Sequence, residues 1–506
     1  MERDKILKHN DCFSKILFFA YFTLLMDKNY LNNQKTKDLS FINNLKSVAV
    51  IGPSKKRDYF FLRNHAKYFK GPVYAIHPSV DKISDFNSEN IYSSVLEIPE
   101  DVDFAFIAVP SSQVLDIIDD CAKKNVKLVT VFTSEFSDSG TKEGIELEKE
   151  LLEKAQNKVR ILGPNGMGLF YPKLGIAWRP EFPTKPGNVG FIAQSGGICN
   201  IAIYSAESLG IKFSKVFSFG NGADIDFVDL IYFLSNDPET DIILCYIEGI
   251  KEGRVNVLKK VLENNSKPII ALKGGKSETG SIAAKTHTAS ISGDNRLWEG
   301  LFKQYNIIEV NSLEQLLFTA RLIDCYGIFE LNNLAVFSIS GGYGVILADL
   351  LEKSGLKVPP FSLEIQKELD AKLLFPGTSS RNPLDLAAQF FFGNVVYEII
   401  NLALTDKNID GLILDLPSFY LKTVFKSMDN EMFESNIVQS LGLGHEHNKP
   451  LIPIIQRSGR IKERDRISKK LIERNIPVFG EPLEFIDLLV KISHYKRKLI
   501  HSKDTL

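Results

Sequence analysis

The stretch GNVGFIAQSGGICNIAIYSAESLGIKF, residues 187–213, carries the reading on which the fold rests. Its first part is a short apolar run of strand character, and Ser-Gly-Gly closes that run and opens a helical pattern. A second stretch, LAVFSISGG (334–342), ends in the same way. The two openings superimpose without a gap. SGGICNIAIYSAESLGIKF from Ser195 and SGGYGVILADLLEKSGLKV from Ser340 share Ser-Gly-Gly, then Glu207 and Glu352, Gly210 and Gly355, and Lys212 and Lys357 at matching places. A strand, turn, helix, turn, strand unit that occurs twice predicts two related doubly wound α/β domains.

The chain upstream follows the same alternation. Val48–Ile51, Val73–Ile76, Phe104–Val109 and Leu128–Phe132 read as short buried strands separated by helical stretches, the signature of a parallel sheet. Proline-rich RPEFPTKPGN (179–188) and GIFELNN (327–333) read as boundaries. The expected organisation is an extension over 1–40 and domains over 41–180, 187–328 and 333–500.

Totals narrow the function class. Lysine plus arginine number 61 against 62 for aspartate plus glutamate, a net charge of −1, which argues against nucleic acid or an anionic membrane as partner. Five scattered cysteines form no CxxC pair and fit a reduced cytoplasm. The apolar run Ile16–Met26 (ILFFAYFTLLM) is about half the length that spans a bilayer. Acids mixed with bases before it and no small-residue cleavage site after it also make it a poor signal peptide. It reads as an amphipathic or disordered extension, with Met26 as an alternative start that would leave 1–25 untranslated.

Chemistry concentrates at strand ends. A Ser-Gly-Gly turn presents free amides at a helix N-terminus, where phosphate or carboxylate is attracted. One such turn alone is equally well a plain tight turn; two at matching places, with a histidine on another loop, favour anion binding. Candidate phosphate ligands are Ser195, Gly196 and Gly197, and in the second copy Ser340, Gly341 and Gly342. Glu248, in ILCYIEGI, follows a buried-looking strand and can hold an imidazole by one nitrogen while leaving the other nucleophilic; the alternative is a capping or surface glutamate. His287, in THTASISGD, lies in a long loop of glycine, serine and threonine between a strand and RLWEGLFKQY, the kind of loop that holds catalytic groups. Taken alone it reads equally as a solvated histidine. His445 and His447 form an HxH without a third ligand, so no metal site is expected, and no P-loop or G-x-S-x-G elbow occurs.

In order, SVAVIG, FIAVPSS, ILGPNGMG, GFIAQSGG, GNGADIDFVDL, YIEGI, KPIIALKGGKSETG, THTASISGD, SISGGYGV and RNPLDL resemble the nucleoside-diphosphate-forming acyl-CoA synthetases, relatives of succinyl-CoA ligase, over about 41–498. The resemblance implies a Rossmann-like CoA-binding domain followed by two flavodoxin-like ligase domains. It puts Gly52, Ser54, Lys55, Pro110 and Asn165 at the CoA site, makes His287 the phosphohistidine and Glu248 its support, and gives Gln194, Ser195, Gly196 and Gly197 the phosphate cradle. It also implies an acyl phosphate intermediate, ATP or ADP with Mg2+, and an ATP-grasp β subunit, the nucleotide site lying on that partner in a cytoplasmic α2β2 assembly. The acyl group is expected to be short-chain, branched or aryl.

Three departures touch the CoA loops. Pro53 stiffens VIGPSKKRDYF, Gly166 stands where the family has a cysteine, and Glu135 stands at a family glycine, adding a carboxylate beside a polyanion. After the histidine, Ala289 replaces a common glycine. Alternatives to a working ligase α subunit are a degenerate CoA-binding regulatory or scaffold protein and a related carbamoyl or acyl transferase.

Overall fold

The computed structural model of the chain describes residues 35–79, 82–287, 295–391, 393–421, 430–457 and 459–503. The run Ile16–Met26 thus lies outside the described residues. Three sheets follow one another along the sequence.

The first contains β1 (Val48–Ile51), β2 (Val73–Ile76), β3 (Ile91–Tyr92), β4 (Phe104–Ile107), β5 (Leu128–Val131) and β6 (Arg160–Leu162), in the order 3-2-1-4-5-6, all parallel. This is the Rossmann order, with its switch point between β1 and β4. Strands β1, β2, β4 and β5 are buried along their whole length. That is why they read as unbroken apolar runs rather than alternating ones. The two short strands β3 and β6 escape the sequence pattern.

The second sheet holds β7 (Gly168–Phe170), β8 (Val189–Ala193), β9 (Phe213–Ser218), β10 (Ile242–Ile247), β11 (Ile269–Lys273) and β12 (Ile308–Val310), in the order 12-11-10-8-9-7. Counted from β8, the parallel strands run 2-1-3-4-5, the flavodoxin-like order. The third sheet, β13 (Leu334–Ser338), β14 (Leu384–Asp385), β15 (Gly411–Asp415) and β16 (Leu451–Ile454), runs 14-13-15-16, the same 2-1-3-4 beginning. An isolated parallel bridge from Ile454 to Phe479 marks the place of a fifth strand. The repeat read from Ser195 and Ser340 is therefore a repeat of topology.

Three expectations change. Strand β7 lies before the proline-rich boundary, yet it pairs antiparallel with β9 of the second sheet. Phe170 there packs edge-on against Trp178 and Phe182, so the first two units share one aromatic seam. Nor is the segment to residue 40 wholly an extension: Leu39 is buried, and Lys37 pairs with Asp229 at 3.0 Å. Finally, the glycine-, serine- and threonine-rich segment before His287 is not all loop, because Glu278–His287 is helical. Ala283 and Ala284 inside it favour helix, and Ser277 accepts the Gly280 amide at its start.

One buried titratable group belongs to the frame. His65 is 1 % exposed, its Nδ1 lies 2.8 Å from the Phe61 carbonyl, and burial pushes its imidazole down to about 4. In the unfolded chain it titrates near 6.5, so between those values the unfolded state binds the extra proton and stability falls as pH falls. We expect a loss of up to about 3 kcal/mol on going from pH 7 to 4. Denaturant midpoints across that range should show a shallower slope for His65→Gln than for the wild type.

Candidate active site

The carboxyl ends of β1, β4 and β5 face those of β8 and β10 across a cleft of about 1510 Å³. Gly52, Ser54, Lys55, Pro110 and Asn165 line it from the first sheet; Gln194, Ser195, Gly196, Gly197 and Glu248 line it from the second. Residues read as two separate sites thus share one crevice, at the switch points where such sheets bind ligands.

On the first side, Gly52 has φ +83°, and a Cβ there would stand 2.5 Å from Val109 Cγ1, so only glycine lets the β1 loop close on the β4 loop. Lys55–Arg57 forms one exposed helical turn, and none of Lys55, Lys56 and Arg57 is in an ion pair among the described residues. Three cations held together at the cleft wall suit a diphosphate or phosphate group. Glu135 has φ +76°, a backbone conformation that favours glycine, the residue the family resemblance implies at this place; here Glu135 accepts a 2.6 Å bond from Ser111 Oγ. Gly166 has a physical reason too. A Cβ at this position would stand 2.6 Å from the Ser218 carbonyl, so this backbone has no room for the cysteine that the resemblance implies here.

On the second side, Ser195 caps the helix Gly196–Leu209 by accepting the Ile198 amide at 3.4 Å. The Gly196 and Gly197 amides at the helix start find no acceptor among the described residues and border the cleft. Gln194 does different work from the cradle expected of it. Its Oε1 accepts the amides of Glu248 at 2.6 Å and Gly249 at 3.2 Å, tying the end of β8 to the end of β10. Lys273, at the end of β11, donates to the Glu248 carbonyl at 2.7 Å and lies 5.6 Å from the centre of the Trp298 ring. Burial pushes its ammonium below the ordinary lysine value. Glu248 itself receives the Tyr246 hydroxyl on Oε1 at 3.0 Å, while Oε2 is buried with no hydrogen-bond partner among the described residues.

His287 is the last residue of the helix Glu278–His287; its side chain, like residues 288–294, lies outside the described residues. The second turn differs from the first. Ser340, Gly341 and Gly342 do not line the cleft, Ser340 makes no side-chain cap, and a Cβ on Gly341 would stand 2.6 Å from Asp385 Oδ2. The helix Gly341–Lys353 therefore already has a carboxylate of its own chain at its N-terminus. His445 bonds the Asn475 carbonyl and His447 the Asn401 side chain, which engages both rings of the HxH. Tyr246 and Lys273 were not singled out from the sequence. Tyr246 could have been, since residues two apart on a strand share a face and Glu248 is its partner.

Residues 46–172 match the family model of a CoA binding domain, and residues 186–323 match that of a succinyl-CoA ligase like flavodoxin domain. The alpha subunit of acetate–CoA ligase [ADP-forming] II from Pyrococcus furiosus is 35 % identical over 451 residues, 88 % of this chain and 95 % of that subunit. The acetate–CoA ligase [ADP-forming] of Methanocaldococcus jannaschii is 37 % identical over 356 residues, 69 % of this chain but 49 % of that protein. Among solved structures, the dinucleotide-forming acetyl-coenzyme A synthetase 1 of Ca. Korarchaeum cryptofilum, in complex with phosphate and ADP, superimposes with a TM-score of 0.78 at 30 % identity. The match covers 93 % of this chain and 99 % of that one.

The two Ser-Gly-Gly turns give a controlled comparison. A Cβ on Gly197 meets nothing closer than Ser195 Oγ at 3.7 Å, and one on Gly342 meets nothing within 4 Å, so alanine fits the fold at both. Gly197→Ala should lower affinity for inorganic phosphate severalfold without lowering the melting temperature. Gly342→Ala should leave both unchanged, as read by calorimetric titration and thermal unfolding.

Proposed function

The chain belongs to the nucleoside-diphosphate-forming acyl-CoA synthetases, and from that premise we propose that it is the α subunit of an ADP-forming acyl-CoA synthetase, converting acyl-CoA, ADP and phosphate into the carboxylic acid, CoA and ATP. The observation that carries this reading is the shared cleft: a wall of free cations and close-packed glycine on one side, and a phosphate turn beside an open carboxylate oxygen on the other.

In this reading Lys55, Lys56 and Arg57 hold the phosphates of CoA, and the thioester reaches the Gly196–Gly197 amides. Inorganic phosphate on those amides attacks the thioester carbonyl; the C–S bond breaks, CoA leaves as the thiol and an acyl phosphate forms. The His287 imidazole then takes the phosphoryl group, and the carboxylic acid leaves with the bridging oxygen. The positive amides gather charge at the phosphate in both steps. Glu248 holds one imidazole N–H so that the other nitrogen attacks. ADP, with Mg2+, receives the phosphoryl group on an ATP-grasp partner chain, in an α2β2 assembly. What supports a separate partner is that the P. furiosus relative, matched over 95 % of its length, is named an alpha subunit. Cytoplasmic location fits this chemistry and the four buried free cysteines among the described residues.

Two outcomes are expected. Incubated with [32P]acetyl or [32P]butyryl phosphate and kept alkaline, the chain should take up acid-labile label that His287→Asn abolishes; no label, or label retained by His287→Asn, counts against the reading. Glu135→Gly removes a carboxylate and a left-handed non-glycine residue that costs about 1 kcal/mol. It should bind CoA several times more tightly in fluorescence titration, and weaker binding would contradict the part assigned to this loop.

A further inference from the structure

Glu248 has four groups that the structure can hold, and three of them are held. Its amide is bound by Gln194 Oε1 at 2.6 Å, its carbonyl by Lys273 Nζ at 2.7 Å, and its Oε1 by the Tyr246 hydroxyl at 3.0 Å. The fourth, Oε2, is buried and has no donor among the described residues. A buried carboxylate oxygen without a donor is costly, and native chains keep such atoms where a working partner arrives. Tyr246 and Glu248 are two apart at the end of β10, so both side chains leave the sheet on the same face and the pair is set by the strand itself.

The energetics make the choice of oxygen one-sided. Burial, then the Glu248 charge, keep the Tyr246 phenol protonated far above neutral pH, so it remains a donor whenever the site works. A donor fixed on Oε1 removes the rotational freedom of the carboxylate and leaves a single acceptor direction. Lys273 adds a link to the other side: its ammonium holds the Glu248 carbonyl and lies near the face of Trp298, on the helix Asn295–Gln304 that follows the histidine segment.

We infer that Tyr246 is a positioning residue of the phosphoryl relay, which by occupying Glu248 Oε1 commits Oε2 to the imidazole N–H and so selects the nitrogen that becomes phosphorylated. The inference rests on the proposed function, because it needs His287 to be the group that meets Oε2. It predicts an effect that passes entirely through Glu248. Losing the Tyr246 donor leaves both carboxylate oxygens free to compete for the imidazole, so phosphorylation slows and the choice of ring nitrogen is lost.

The test is a double-mutant cycle on the full chain with [32P]acetyl phosphate, measuring the initial rate of acid-labile labelling at pH 7, with 31P NMR of the phosphohistidine to read which ring nitrogen carries the phosphoryl group. Tyr246→Phe keeps the ring, and a melting curve confirms its fold. It should slow labelling about tenfold and give a mixture of the two phosphohistidine isomers where the wild type gives one. In the Glu248→Gln background the same change should add nothing. Equal slowing in both backgrounds, or a single isomer in Tyr246→Phe as in the wild type, overturns the role of Tyr246 while leaving the relay intact. Should Tyr246→Phe melt early, Tyr246→His, which keeps a donor, must restore the single isomer, and failure to do so also overturns it. No label on the wild-type chain would remove the relay reading and this inference together.

Discussion

The side-chain carbonyl of Gln194 accepting two successive amides, those of Glu248 and Gly249, is the contact on which the site depends. It joins the strand end that opens the phosphate turn to the strand end that presents the carboxylate. Strands β8 and β10 pair directly up to Ala193 and Tyr246, and the Gln194 side chain carries that link past the strand ends, where loops are otherwise the mobile part of such folds. With it, the anion-binding dipole and the acceptor for an imidazole move as one body. Gln194 is buried, so these bonds are made away from competing water.

That unit works because the first sheet stands opposite. Strand β7 leaves the Rossmann portion and adds to the edge of the second sheet, and Trp178 and Phe182 seal the joint. Asn221 bridges back, donating to Ser137 and to the carboxylates of Asp138 and Glu148. The cleft is therefore formed between two rigid sheets rather than within one. That suits a long substrate whose phosphates need cations at one end and whose thioester needs an anion cradle at the other.

Much of this was legible in the sequence. The buried parallel strands β1, β2, β4 and β5 announce themselves as apolar runs, and the gapless match between the segments from Ser195 and Ser340 shows two like units. Ten residues marked from the sequence, including Gly52, Lys55, Gly197 and Glu248, meet in one cleft. What the sequence could not express was whether equal motifs have equal surroundings. Ser340-Gly341-Gly342 repeats the first turn letter for letter, yet Asp385 lies beside its helix start and the cleft is elsewhere. The short strand β7 and the helix ending at His287 also escaped, because three residues make no pattern and a run of small polar residues reads as loop until its neighbours decide. Glu135 and Gly166 looked like losses of function. The backbone shows one to be a strained residue at a glycine position and the other a fit to a crowded one.

The central claim is that this chain alone holds the site of the first chemical step, thioester cleavage by phosphate. Its most direct measurement is thiol release from a panel of acyl-CoAs, acetyl-CoA first, by the purified chain with and without inorganic phosphate and with no partner chain or nucleotide present. The account predicts phosphate-dependent release approaching one thiol per chain with at least one acyl group. Release that ignores phosphate, or none from any acyl-CoA by a chain that binds CoA, would contradict it.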